Sequence, residues 1–307
     1  MIEVKNLSKS YGSVVAVSNL NFQVTPGTVT GFLGPNGAGK STTMRMIMGI
    51  DHPTSGEALI NGRPYRELAQ PLRTVGALLE AKAYHPGRTA ENHLLAVAAA
   101  NHLPSARVKE VLEQTGLTSV AHRRAGNFSL GMSQRLGIAT ALLGDPEILL
   151  LDEPVNGLDP EGIQWIRSLM QSLAERGRTI FVSSHLMSEM ALTASHVIVI
   201  GQGKLIADTT VDRFIADHSE LRTKVRSPQI QELEALLNAR NAKVNRTDPS
   251  TIEVSGMTTE QIGELASGNA ITLHELSPMV ASLEEVFMEL TQGSVEYRAT
   301  EPVGAAS

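Results

Sequence analysis

The sequence is marked by several absences, and each excludes a class of protein. Its 307 residues contain no cysteine, which excludes a disulfide framework and thiol chemistry and suits a reducing compartment. No apolar run has the ~18–20 residues of a membrane-spanning helix, and the longest candidate covers only His93–Ala100. The start of the chain, Met1 to Lys5, lacks the basic and then apolar layout of a signal peptide. We therefore expect any membrane part to come from another chain.

The chain also lacks an excess of positive charge. Its formal net charge is −6, whereas a broad nucleic-acid-binding surface needs clustered Lys and Arg to neutralise phosphates. We therefore expect no nucleic-acid partner. The remaining composition, 42% hydrophobic and 19% charged, is ordinary for a globular protein. The length suffices for one large domain and a small one.

The strongest positive signal is a glycine-rich loop that fits the phosphate-binding pattern G-x-x-x-x-G-K-[ST]. An apolar, β-prone run, Thr28–Leu33, precedes it, and a helix-like run, Thr42–Met48, follows it. Glycines let the backbone approach closely, so that the loop N–H groups and the helix N-terminus face an anion. The predicted nucleotide-contacting residues of this loop are Gly34, Pro35, Asn36, Gly37, Ala38, Gly39, Lys40, Ser41 and Thr42.

Two side chains of this loop have predicted chemical roles. We expect Lys40 to contact the β- and γ-phosphates and Ser41 to offer its hydroxyl to Mg²⁺. The alternative is a glycine-rich turn that binds nothing, and the adjacent Lys and Ser count against it. The loop therefore predicts a nucleotide site without saying what the nucleotide is used for.

A second signal is an apolar run, Ile148–Leu151, that ends in two carboxylates, Asp152 and Glu153. A run that is apolar throughout is typical of a central strand buried on both faces, and ligand sites of parallel sheets lie at the carboxyl ends of the strands. We expect Asp152 to hold Mg²⁺, directly or through water, and Glu153 to polarise the attacking water. The alternative is an acidic strand end that faces solvent.

Two further segments gain meaning from their order in the chain. His185 follows the β-prone run Thr179–Ser183, where its imidazole could contact the γ-phosphate, although a lone His there is more often an ordinary loop residue. Ser129 precedes an apolar helix-like run and is a plausible N-cap, and Gly131 would let a phosphate approach the backbone. On physical grounds alone this second segment is only a helix start.

The pattern of elements predicts an α/β fold with a second, smaller unit. Short strands are predicted before residue 34 and helices over 89–143, and strands and helices alternate from residue 147, which indicates a parallel sheet with covering helices. A boundary is predicted near 217–221. Beyond it the pattern predicts strands at Thr223–Arg226, Ile252–Val254 and Ile271–Leu276, and helices at Ile230–Leu237, Thr259–Ala266 and Leu283–Leu290. Residues 293–307 have no periodic pattern and are expected to form a flexible tail.

The ordered motifs resemble those of the ATP-binding subunits of ATP-binding cassette (ABC) transporters, over residues 1 to about 215. Gly34–Thr42 is similar to the Walker A loop, Glu147–Pro154 to Walker B, and His185 to the switch histidine. Ser129–Gln134 resembles the signature region, with Ser129 and Gly131 at its phosphate-contacting positions. Asn156–Asp159 resembles the D-loop, which assigns Asp159 to the nucleotide site, and Tyr11 resembles the aromatic that stacks on adenine.

The resemblance implies a P-loop NTPase cassette with a parallel-sheet core, an antiparallel β subdomain and a helical subdomain at about 84–145. The implied domains are an ABC ATPase over 1–217 and a small α+β module over 221–292. The implied cofactors are ATP and Mg²⁺, with Lys40, Glu153 and His185 catalytic. The signature departs from the usual Leu-Ser-Gly-Gly-Gln at Leu130 and Met132. Glu80 stands where the family usually has the Gln of the Q-loop, and we expect it either to join Ser41 and Asp152 at the metal or to change the coupling to the membrane partner.

The same resemblance implies the partners and the location. Two copies would pair head-to-tail, each completing the other's ATP site, and separate permease chains would contact the segment near residues 80–103. The protein would then lie on the cytoplasmic face of the cell membrane. Glu80 and the C-terminal module are similar to features of subunits that export antibiotics and bacteriocin-type peptides. The alternatives are a soluble cassette ATPase without a permease and a module with inactive catalysis.

Overall fold

The computed structural model describes residues 1–218, 222–279 and 281–291, so the prediction for residues 293–307 lies outside the described residues. The chain divides into two compact units, Met1–Val211 and Asp212–Met288, and residues 289–291 belong to the first. In the described part of the chain, no helix is long and apolar enough to cross a membrane. The strands are β1 (Ile2–Tyr11), β2 (Val14–Val24), β3 (Val29–Leu33), β4 (Ser55–Ile60), β5 (Val75–Leu78), β6 (Ile148–Asp152), β7 (Thr179–Ser184), β8 (His196–Gly201), β9 (Lys204–Thr210), β10 (Arg222–Arg226), β11 (Lys243–Asp248), β12 (Thr251–Ser255) and β13 (Glu275–Met279).

The helices cover the sheets and connect the parallel strands. Short 3₁₀ turns lie at Tyr65–Glu67, Thr118–Val120 and Ala125–Asn127. The α-helices are α1 (Lys40–Ile47), α2 (Pro71–Thr74), α3 (Ala90–Ala100), α4 (Ala106–Gln114), α5 (Leu130–Leu142), α6 (Pro160–Glu175), α7 (Met187–Thr193), α8 (Val211–His218), α9 (Ile230–Ala239), α10 (Thr259–Gly268) and α11 (Leu283–Thr291).

The first unit is built on a six-stranded sheet in the order β5-β6-β7-β3-β8-β9. Its strands are parallel except for β9, which is antiparallel to β8. Every residue of β3 and β7 is buried, as are the apolar residues of β6, because helices and the second sheet cover both faces. The carboxyl ends of β3, β6 and β7 therefore lie side by side and carry the segments that follow them.

A three-stranded antiparallel sheet, in the order β2-β1-β4, packs on this core. Three phenylalanines join the two sheets: Phe22 from β2, Phe32 from β3 and Phe181 from β7. Their ring centroids are 5.0–5.8 Å apart and the rings are tilted, an arrangement that adds to the burial of apolar area. Three helices, α3, α4 and α5, lie between β5 and β6 in the sequence and pack on one another. The first unit thus has the parallel core, the antiparallel sheet and the helical segment that the resemblance implied.

The second unit has the element order β-α-β-β-α-β, from β10 to β13. Its antiparallel sheet has the order β11-β12-β10-β13, the arrangement of a ferredoxin-like split βαβ fold. The amphipathic helices α9 and α10 bury one face each in an apolar core that includes Leu233, Val254 and Ile262. The capping box of α10, in which Thr258 and Gln261 bond to each other's backbone N–H, fixes where this helix begins.

Two predictions for the second unit need correction. The strand predicted at Ile271–Leu276 is wrong in its position, since β13 covers Glu275–Met279. Ile271 instead lies just after the end of α10, where its N–H donates to the Ala266 carbonyl oxygen and its side chain packs in the apolar core. Strand β11 was missed altogether. It is an edge strand whose residues are mostly polar and exposed, so it has no alternating apolar pattern to recognise.

Candidate functional site

The glycine-rich loop follows β3 directly and leads into α1. Two positions of this loop must be glycine, because carbonyl oxygens of neighbouring segments lie too close to leave room for a Cβ atom. A Cβ atom at Gly34 would lie 2.6 Å from the Ile200 carbonyl oxygen, and one at Gly39 would lie 2.5 Å from the Ala16 carbonyl oxygen. Gly39 also has a φ of 103° where it caps α1, a conformation that side chains disfavour. The loop conformation therefore depends on neighbouring strands as well as on its own sequence.

Lys40 begins α1 and is almost fully buried at the centre of this loop. Its Nζ donates to the carbonyl oxygens of Gly34, at 2.6 Å, and Pro35, at 3.3 Å. Burial lowers the pKa of the Lys40 ammonium, and the charges of Glu153 and Asp152 partly offset that effect. The ammonium is thus held in a desolvated site, where an anionic phosphate would stabilise its positive charge.

The loop encloses a cavity of about 250 Å³. The N-terminus of α1 forms part of the cavity wall and provides the positive end of a helix dipole, which favours an anion. Glu153 is the acidic residue on the wall of this cavity. The lining residues are Ala16, Pro35, Asn36, Gly37, Ala38, Gly39, Lys40, Ser41, Thr42 and Glu153.

The two carboxylates at the end of β6 have different surroundings. Asp152 accepts a 2.5 Å hydrogen bond at its Oδ1 from the Oγ of Ser183, a buried residue on the neighbouring strand β7. Glu153 leaves the strand with a φ of 50°, in the left-handed region. Its N–H donates to the same Ser183 Oγ at 3.0 Å. One hydroxyl therefore fixes both carboxylate residues relative to the sheet.

Glu153 and His185 form a pair at the carboxyl ends of β6 and β7. His185 Nδ1 lies 2.7 Å from Glu153 Oε2, and the His185 N–H donates to the same oxygen at 3.4 Å. The His185 side chain is about half exposed and that of Glu153 is 22% exposed. This pair lies at the phosphate cavity, because Glu153 is one of its walls. The structure thus brings together Lys40, Glu153 and His185.

Tyr11 ends β1 and is half exposed. Its hydroxyl donates to Asp51 Oδ2 at 3.0 Å, and Arg45 of α1 bonds to both oxygens of that carboxylate. Desolvation raises the pKa of the Tyr11 phenol; Asp51 adds to this increase, and a hydrogen bond to Thr42 opposes it. The aromatic residue predicted to stack on adenine is therefore anchored next to the phosphate loop through its hydroxyl group.

The signature segment forms an exposed helix N-terminus. Ser129 caps α5, since its Oγ accepts from the Met132 N–H at 3.2 Å. A Cβ atom at Gly131 would lie 2.8 Å from the Gly157 carbonyl oxygen, so Gly131 permits close packing on the D-loop. Asp159 caps α6 through a 2.9 Å bond from the Gly162 N–H. Of these residues, none lines the phosphate cavity of the same chain within the described structure.

Glu80 is not among the residues that line the phosphate cavity. It follows β5, is exposed, and lines a mainly apolar groove of about 270 Å³ between the core sheet and α3 and α5. The bond to Asp51 and, more weakly, the charge of Glu80 raise the pKa of Arg45, which lines the same groove. The groove residues are Arg45, Met48, Ile50, Ala77, Leu78, Leu79, Glu80, Ala81, Ala83, Tyr84, His93, Gly137 and Thr140.

Two residues that hold Glu153 were not among the predicted site residues. Ser183 accepts from its N–H, and Gln134 Nε2 donates to its carbonyl oxygen at 3.0 Å. Both belong to segments with recognised motifs, but the contacts join positions 30 and 19 residues apart in sequence. A pattern of spacing in one segment does not reveal which backbone atom in another segment its side chain contacts.

Comparisons with known proteins agree with this geometry. Residues 17–156 match the family model described as ABC transporter. The chain is 45% identical to the bacitracin transport ATP-binding protein BcrA of Bacillus licheniformis, over 70% of this chain and 71% of that protein. It is 36% identical to the uncharacterized ABC transporter ATP-binding protein YhcH of Bacillus subtilis strain 168, over 95% of this chain and 96% of that protein. The chain belongs to the ATP-binding subunits of ABC transporters. It is an ATPase of this family, and its nucleotide is ATP.

Two further comparisons bear on this ABC ATPase. It is 37% identical to the lantibiotic transport ATP-binding protein SrtF of Streptococcus pyogenes, over 69% of this chain and 92% of that protein. Among solved structures, it resembles a dimeric post-hydrolysis ATP-binding cassette bound to ADP and Pi, with a TM-score of 0.63 and 26% identity over 68% of this chain and 98% of that one. Residues 221–284 match a family model described as a domain of unknown function, DUF8746.

Proposed function

We propose that this ABC ATPase works as a homodimer that hydrolyses ATP to drive a separate membrane permease, which exports a peptide antibiotic or a similar hydrophobic compound. The observation that supports hydrolysis best is Glu153, which lines the same cavity as Lys40 and contacts His185 Nδ1 through its carboxylate. The transported class rests on the similarity to the bacitracin and lantibiotic transport proteins. The protein would then act on the cytoplasmic face of the membrane.

The proposed catalytic roles follow from the position of each group. Lys40 neutralises charge on the β- and γ-phosphates, Glu153 orients the attacking water and takes its proton, and His185 holds the γ-phosphate. A hydroxyl and a carboxylate near phosphate oxygens suit Mg²⁺, and Ser41 and Asp152 would hold it, with Glu80 as a further candidate. Bound Mg²⁺ supplies charge neutralisation at the phosphates.

The homodimer explains why the signature lies apart from the cavity. At the N-terminus of α5, Ser129 is exposed and Gly131 is partly exposed, and neither lines the cavity of this chain's own phosphate loop. An exposed helix N-terminus suits an anion from another molecule, so we assign it to the ATP held by a second copy, with Asp159 at the same junction. Tyr11 would stack on the adenine of the ATP bound by its own loop.

The permease would dock in the mainly apolar groove beside β5. Its floor is formed by apolar residues such as Met48 and Leu79, with the half-exposed Ile50 and the charges of Arg45 and Glu80 also on its wall. A groove of this kind fits the apolar face of a short amphipathic helix. A cytoplasmic helix of the permease is the proposed occupant.

The catalytic part of the proposal is tested with Glu153→Gln. The variant keeps the shape of the side chain but removes the base, so we expect hydrolysis to fall by at least about a hundredfold while ATP still produces dimers. Phosphate release and ATP-dependent size-exclusion chromatography measure the two properties. The matched control is Glu175→Gln, at the exposed end of α6. Hydrolysis at the wild-type rate by Glu153→Gln would show that the role of Glu153 is wrong.

The permease part is tested separately with Ile50→Glu. Ile50 is 53% exposed in the groove, and Leu192, a matched control on α7, is 59% exposed outside it. We expect Ile50→Glu to release the subunit from membranes and Leu192→Glu to leave it bound, with ATP hydrolysis by both purified subunits unchanged. Recovery of a polytopic chain with wild-type protein but not with Ile50→Glu would support the proposal. A soluble wild-type protein with no membrane partner would favour a cassette ATPase without a permease.

A further inference from the structure

The main chain of Glu153 is held in an unfavourable conformation. Its φ of 50° lies in the left-handed region, which for a residue with a Cβ atom costs about 1–2 kcal/mol. Such a conformation persists only where its surroundings hold it in place. Because the carboxylate of Glu153 extends from this backbone, whatever holds the backbone also sets the direction of the carboxylate.

Two buried side chains hold this residue, one at its N–H and one at its carbonyl group. Ser183, which is fully buried, accepts from the N–H at 3.0 Å. Gln134, only 3% exposed, donates from Nε2 to the carbonyl oxygen at 3.0 Å. The same oxygen also accepts from the Asn156 N–H, at 3.2 Å, in the turn that follows. A buried amide that lost its partner would leave an unsatisfied donor, so the bond from Gln134 resists displacement of Glu153.

Gln134 belongs to α5, the helix that begins at Ser129. It lies a little more than one turn into this helix, so a nearly rigid segment joins the exposed signature end to the main chain of Glu153. Ser183 comes from the core sheet and Asn156 from the adjacent turn. Gln134 is therefore the contact through which the position of α5 is transmitted to the carboxylate.

We propose that Gln134 is a positioning residue for hydrolysis: it aligns Glu153 with the phosphate cavity and makes that alignment depend on the position of the signature helix. This inference rests on the proposed role of Glu153. Gln134 itself does not touch the nucleotide. It acts through the peptide carbonyl of Glu153, so its removal should lower kcat and leave the binding of ATP intact.

The test uses Gln134→Met, which keeps the length of the side chain and removes the donor. We expect kcat to fall by between about tenfold and a hundredfold, as misplacement of a catalytic group does, with the Kd for ATP unchanged within twofold. The control is Gln171→Met, because Gln171 Nε2 makes the same kind of bond, at 3.0 Å, to the Leu192 carbonyl oxygen outside the site. If Gln134→Met does not fold, Gln134→Leu, which also lacks a donor, takes its place with the same expectation.

A double variant separates positioning from a general structural role. If Gln134 acts through Glu153, adding Gln134→Met to Glu153→Gln should not slow the residual hydrolysis further. A further fall by the same factor would overturn the inference, as would a kcat for Gln134→Met within twofold of wild type. The proposed function fails in a different way, through wild-type hydrolysis by Glu153→Gln alone.

Discussion

Replacement of Gly39 by alanine tests whether the geometry of the phosphate loop depends on its neighbours. The φ of 103° at Gly39 costs an L-residue at least about 1–2 kcal/mol. The new Cβ would also lie 2.5 Å from the Ala16 carbonyl oxygen and 3.1 Å from Val17 Cγ2. Both atoms belong to residues of β2. The carbonyl oxygen of Ala16 is a backbone atom, so it cannot move aside as the end of a flexible side chain can. Overpacking of this kind costs about 1–3 kcal/mol more.

The loop can relieve this strain by moving away from β2, but it must return to bind phosphate. The cost of about 2–5 kcal/mol then appears as lost affinity for ATP, which corresponds to between about 30-fold and a few thousandfold in Kd. Titration calorimetry with ATP measures the affinity, and thermal unfolding shows whether the variant remains folded. We expect weak binding by a folded protein.

The control is another glycine with a positive φ but free space around it. Gly177 has a φ of 83° and no atom within 4 Å of the Cβ position outside its own neighbours. We therefore expect Gly177→Ala to lower the stability of the protein by only the conformational cost, about 1–2 kcal/mol. Its affinity for ATP should not change. If Gly39→Ala binds ATP within threefold of wild type, the loop does not need this geometry and the reasoning is refuted.

Two other predictions concern residues near the loop and the groove. We expect Asp51→Asn to weaken ATP binding by about two- to tenfold, because the variant weakens the hydrogen bond that holds the Tyr11 hydroxyl. The control is Asp145→Asn, which weakens an ion pair elsewhere and should bind ATP as wild type does in the same titration. Burial lowers the pKa of His93 below its usual 6.5. The folded state therefore binds fewer protons than the unfolded state at pH values between these two pKa values, and the folded state loses stability as the pH falls from 6.5 to the lowered pKa. Thermal unfolding between about pH 5 and pH 7.5 should show a flatter pH dependence for His93→Gln than for wild type, while the exposed control His52→Gln keeps the wild-type slope.

The first unit could be predicted from the sequence because its signals are local and strong. The run that became β6 is apolar at every position, as a strand buried on both faces requires. The glycine-rich loop combines a strand, a turn and a helix within a few residues, so its phosphate site follows from the segment itself. His185 could be expected at the same sheet edge as Glu153, since adjacent parallel strands end there, but its contact with Glu153 was not predicted.

The second unit was harder because its sheet is antiparallel and partly exposed. Strand β11 lies at the edge and has few buried side chains, so its sequence resembles that of a loop. Strand β13 begins later than predicted because Ile271 lies just after α10, where its N–H donates to the Ala266 carbonyl oxygen of that helix. In both cases the tertiary environment, and not the local propensity, decided where the strand lies.

The contacts that hold Glu153 could not have been predicted from spacing. The segments that contain Gln134 and Ser183 were recognised for other reasons, one as a helix start and one as the approach to His185. Their contacts to Glu153 arise because its left-handed backbone turns its N–H toward β7 and its carbonyl oxygen toward α5. The strain at this residue and the two side chains that hold it therefore belong to one feature. Gln134 was recognised only as the end of the signature-like segment, because spacing along that segment does not show that its side chain contacts the Glu153 carbonyl oxygen.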